Sequence, residues 1–96
     1  MNNMIFGESA TQFLAIATTF IGVAMALAYL PQTYRIIKRK SSGDISLLFF
    51  SVVALGITFW LLYGLALDNW PLIIVNAVSL IAACSVILAT LRYRKK

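Results

Sequence analysis

Histidine is absent from this 96-residue chain, cysteine occurs once, and only three side chains are acidic. Without imidazole, the usual acid–base group of neutral pH and a common metal ligand are both missing. Cys84 cannot close an intrachain disulfide, and its place inside an apolar run reads as that of a small buried hydrophobe. Charge is scarce as well. Charged residues make up 11% of the chain, against roughly 25% in soluble domains. No Gly-rich phosphate loop, Cys/His cluster or carboxylate pair inside an apolar stretch is present. The chain is therefore expected to have no catalytic residue, no metal and no cofactor, and not to be an enzyme. Ser51, Ser79 and Ser85 are explained by packing and by hydrogen bonds between helices.

What the chain has is length without charge. Hydrophobic residues make up 61%, and residues 9–34, 45–67 and 69–91 carry no charged side chain. Each run exceeds the roughly 18 apolar residues that mark a membrane span, and at about 1.5 Å per residue each crosses about 30 Å of hydrocarbon. The first run makes a poor signal peptide, because Met1 to Phe6 contains no Lys or Arg. The expected fold is an all-α membrane protein, one membrane domain over residues 1–96. Its helices cover about 10–35, 45–67 and 71–92, with an inner loop at 36–44 and an outer turn at 68–70. Asp44 or Ser46 suits the cap of the second helix, and Pro71 suits the first turn of the third. Trp70 suits the membrane interface.

A net charge of +5 invites comparison with nucleic-acid binders, but the basic residues form two groups, Arg35 to Lys40 and Arg92 to Lys96. Each flanks a span, which is the positive-inside pattern, and no soluble domain accompanies them. The loop after the first helix and the tail after the third share a side, since two crossings separate them. Both are expected in the cytoplasm, with the N-terminus and the 68–70 turn outside. Three helices with short loops leave little room for an internal water path. A parallel homodimer with six helices follows as the expectation. Small residues such as Ala15, Gly22 and Ala82 permit close helix approach in lipid.

Two polar features stand out within the spans. Trp60 lies one turn beyond Gly56, near the middle of the second run. Asn76 lies one turn before Leu80, near the middle of the third. The two helices run in opposite directions, so Trp60 and Asn76 share a level, roughly 6 Å from the midplane. An amide and an indole face suit a ligand with hydroxyls and C–H faces, which describes a sugar. The same residues also fit packing, with Asn76 bonded to a neighbouring helix and Trp60 filling a gap. Pro31, followed by Gln32, removes one helical hydrogen bond and frees the carbonyl of Leu27. It permits either a hinge or a fixed bend.

Tyr29-Leu30-Pro31-Gln32-Thr33 resembles the proline–glutamine motif of PQ-loop proteins. Ser42-Gly43-Asp44-Ile45-Ser46 after the basic stretch is similar to that family's inner loop. Phe59-Trp60-Leu61-Leu62-Tyr63-Gly64 resembles its second-helix pattern, and Asn76 follows Trp60 at the spacing of its binding-site pair. The resemblance covers about residues 12–92 and is strongest to the small bacterial SemiSWEET sugar transporters. It implies triple-helix bundles paired in parallel in the bacterial inner membrane. Such dimers move mono- or disaccharides by facilitated diffusion with alternating access. It further implies that Trp60, Asn76 and Gly56 of each subunit meet the sugar, that Pro31 and Gln32 form the hinge, and that Tyr63 and Asp68 form the outer gate. Relatives often carry an arginine near that gate; residues 63–68 contain none. The expected partners are a sugar, membrane lipid and a second copy, and no nucleic acid. The spans lack ionisable residues between their ends, so proton coupling is not expected. Two other readings of the fold family are a proton-coupled exporter of amino acids and a non-transporting scaffold subunit.

Overall fold

The computed structural model describes residues 7–43 and 45–94. Asp44, one of the two candidate caps, and the basic residues Lys95 and Lys96 lie outside them. Among the described residues there are four helices: α1 Glu8–Leu27, α2 Leu30–Arg39, α3 Leu47–Leu67 and α4 Trp70–Arg92. They amount to three membrane-length spans, with α1 and α2 together forming the first.

The first span is divided in two where its backbone ladder changes spacing. Ala28 N–H still reaches the carbonyl of Ala24, but Tyr29 N–H bonds Ala26 and Gln32 N–H bonds Tyr29. Pro31, second residue of α2, has no N–H to give to Leu27. α2 continues to Arg39, past Arg35, where the first helix was expected to end, and α3 starts at Leu47. α2 stops at Lys40, whose φ of 55° is left-handed, and Ser41 N–H closes back on the carbonyl of Ile36. α3 ends in the same way at Asp68, with φ 57° and Asn69 N–H bonded to the carbonyl of Gly64. Ser46 Oγ caps α3 by accepting from Phe49 N–H at 3.0 Å. Asn69 Oδ1 caps α4 by accepting from Leu72 N–H at 3.2 Å. Pro71 lies in the first turn of α4.

α4 is the central element. α1, α2 and α3 each pack on it, while α1 and α3 make at most slight contact with each other. Two glycines set the closest approaches, Gly22 of α1 against Val75 of α4, and Gly64 of α3 against Leu72 of α4. The tightest packing is at the basic end, where Ile36, Val86 and Ala89 are buried against Tyr29, Phe50 and Tyr93. Two polar ties reinforce that end. Ser85 Oγ donates to the carbonyl of Ala82 at 2.6 Å, so the 2.8 Å bond between Thr33 and Ser85 has Thr33 as donor. Ser42 Oγ lies 3.1 Å from the carbonyls of both Thr90 and Tyr93.

The outward faces are apolar, with Phe13, Phe20, Met25, Leu48, Ile81 and Leu88 all exposed. In water such a surface would aggregate; against acyl chains or a second copy it is ordinary.

Candidate functional site

Gly56, Trp60 and Tyr63 recur at helical spacing and therefore share one face of α3. With Phe59 they line an open hollow of about 490 Å³. Trp60 and Tyr63 meet edge to face, ring centroids 6.0 Å apart at 73°. The indole is thus braced by Tyr63 on one side yet remains 56% exposed. A Cβ added at Gly56 would meet nothing within 4 Å. The space one turn below the indole is open.

Asn76 lies elsewhere. It lines a hollow of about 400 Å³ between α1 and α4, together with Thr18, Gly22 and Val75, and this hollow reaches Thr11 and Asn69 near the 68–70 turn. Asn76 Nδ2 donates to the carbonyl of Leu72 on its own helix at 2.8 Å. That uses one of two donors and leaves Oδ1 and the second N–H uncommitted. Past Gly22 and Val75 the groove continues as a hollow of about 290 Å³ that reaches Tyr29 and Ser79. The two hollows run from the turn end of the molecule to the break between α1 and α2.

Within one chain, then, Gly56, Trp60 and Tyr63 come together, and Asn76 does not join them. The other candidates are spread more widely. Pro31 is the second residue of α2, and Gln32 Oε1 accepts from Arg35 Nη2 at 2.7 Å. Asp68 occupies the left-handed end of α3 and does not line the hollow that holds Tyr63. Among the described residues no group of three His, Cys, Asp or Glu gathers that could hold a metal ion. Thr18 is the lining residue that sequence reading passed over. Its signal was present: Thr18 lies one turn from Gly22, on the same face of α1.

Residues 12–96 match the family described as sugar efflux transporters for intercellular exchange. A sugar transporter SemiSWEET of Bradyrhizobium diazoefficiens is 43% identical over 76% of this chain and 90% of that protein. A second of that name, from Escherichia coli, is 30% identical over 88% of this chain and 86% of its own length. The solved structure of a bacterial homologue of SWEET transporters superposes with a TM-score of 0.78 at 34% identity, covering 84% of this chain and 98% of its own. The extent of these matches, over a chain with three apolar spans, leads to one conclusion: this multi-pass membrane protein belongs to the SWEET and SemiSWEET family of sugar transporters.

Proposed function

We propose that two copies of this chain pair in parallel and carry mono- or disaccharides down their gradient by alternating access. One observation carries the reading: a braced but uncovered indole above an open glycine, in a chain whose mid-span amide, Asn76, keeps a donor and an acceptor unused among the described residues. Within one chain Trp60 is exposed, and Asn76 bonds its own helix rather than a neighbouring one, so both are left for a partner or a ligand to meet.

Pairing supplies what a single chain lacks. The open hollow on α3 and the groove between α1 and α4 each need a second wall. A partner facing them would join Trp60, Gly56 and Asn76 of both copies around one sugar. The indole would stack on C–H faces, and the amides would bond hydroxyls. Pro31 and Gln32 would serve the bend, and Tyr63 and Asp68 the outer mouth. The basic clusters favour an N-terminus outside and a cytoplasmic C-terminus in a bacterial cell membrane.

The test is uptake into proteoliposomes by Trp60→Ala and Asn76→Ala. Each variant should lose at least about tenfold in sugar transport while still assembling. A lost hydrogen-bonding group or stacking face commonly costs about 1–3 kcal/mol. Purified Asn76→Ala that binds sugar as tightly as the parent would return Asn76 to a packing role. Uptake of amino acids in place of sugars would favour the exporter reading.

A further inference from the structure

We propose that Thr18 of α1 makes a direct hydroxyl contact to the transported sugar. The inference rests on the transport reading above and adds a residue from a third helix to it.

The argument begins with how the other threonines are satisfied. A threonine inside an apolar helix usually returns its hydroxyl to the carbonyl four residues earlier. Thr11 does so to Gly7 at 2.8 Å, Thr19 to Ala15 at 2.7 Å and Thr58 to Ala54 at 2.8 Å. Thr33 bonds Ser85 across to α4. Thr90 has no partner among the described residues, but its hydroxyl is sealed inside the packed basic end. Thr18 differs from all of these. It forms no hydrogen bond among the described residues, it is exposed, and it lines the same hollow as Asn76.

An unpaired hydroxyl in hydrocarbon is costly, whereas one facing a wet groove is not. The wall around Thr18 is otherwise largely apolar, with Leu14, Ala15, Gly22 and Val75. The Thr18 hydroxyl and the Asn76 amide therefore bring unused hydrogen-bonding capacity to one cavity, with Asn69 at its turn end. At about 400 Å³ the hollow falls within the volume usual for small-molecule sites, about 300–1,000 Å³. No charged side chain lines it. A hydroxyl both donates and accepts, and so does a sugar hydroxyl. The chemistry selects a neutral polyol over a zwitterion or an anion.

The experiment compares the parent, Thr18→Val and Thr18→Ser in proteoliposomes, using a hexose that the parent transports and its set of monodeoxy derivatives. Thr18→Val keeps the shape and removes the hydroxyl. It should raise KM about three- to tenfold, the worth of one neutral hydrogen bond. Thr18→Ser should restore the parent value. One deoxy sugar should be insensitive to Thr18→Val, because the hydroxyl that Thr18 reads is already gone. An unchanged KM for every sugar in Thr18→Val would overturn the assignment while leaving transport intact. So would an equal loss for every deoxy sugar that serine does not rescue, the mark of a structural role. A parent chain that carries no sugar at all would instead overturn the transport reading itself.

Discussion

Three glycines of this chain do two kinds of work, and the space around each shows which. At Gly22 an added Cβ would lie 2.7 Å from Val75 Cγ2, and at Gly64 it would lie 2.9 Å from Leu72 Cβ and 3.3 Å from the backbone nitrogen of Ile73. Both hold helices together by letting backbones approach. Gly56 has nothing within 4 Å and holds nothing together. Gly22→Ala should therefore lower the stability of the purified protein by about 1–3 kcal/mol, because Val75 must shift, and a melt in detergent would read it. Gly56→Val should melt with the parent but reduce transport of disaccharides more than of hexoses, since its side chain enters the Trp60 hollow. Equal melting of Gly22→Ala and the parent would remove the seam from the account. The family resemblance put Gly56 beside Trp60, whereas Gly22 was read only as one of several small residues. Spacing along one helix tells which residues share a face. It does not tell which residue of another helix lies opposite, and that is what distinguishes Gly22 from Gly56. Thr18 went unread for the same reason: its significance comes from the hydroxyl bonds that its neighbours make and it does not.

Among the elements, the first span shows where sequence was sufficient and where it was not. Pro31 marked a possible bend, because a residue without N–H cannot bond the carbonyl of Leu27. The helix gives way a little earlier, at Ala28 and Tyr29, where the bonds shorten to three-residue spacing before the proline is reached. The run of charges from Arg35 set the expected end too early. Lys38 and Arg39 lie in the last turn of α2, where cations favour the negative end of the helix dipole. Charge marks where the membrane ends, not where the helix ends. Pro31→Ala restores the missing donor and should insert and assemble normally. If the break is a hinge, equilibrium exchange of labelled sugar should slow several-fold, with little change in affinity. Exchange at the parent rate would make the proline a fixed bend.

At the scale of the whole molecule, the Cα trace measures 54 × 21 × 16 Å. The long dimension covers a bilayer, but the cross-section is that of three packed spans. No enclosed aqueous path fits within it, which is the physical ground for a second copy. Three apolar spans and their order were legible from charge spacing alone, because lipid permits so few solutions. The central position of α4 was not legible, since all three spans are similarly apolar. Orientation can be tested in intact cells with Cys84→Ala as background. Glu8→Cys should react with an impermeant maleimide added outside, and Arg94→Cys should not. The opposite pattern would invert the topology.

The unequal lengths on either side of the break have a mechanical result. α1 has 20 residues and α2 has 10, so the arms measure about 30 Å and about 15 Å. The shorter arm is pinned to α4 through Thr33 and Ser85. If the break is a hinge, it stands one third of the way from the basic end, with arms in a ratio of about two to one. A swing of roughly 10° that carries the far tip of α1 about 5 Å moves the far tip of α2 by only about half as much. Equal angular strokes thus give wide travel at the turn end and short travel at the basic end.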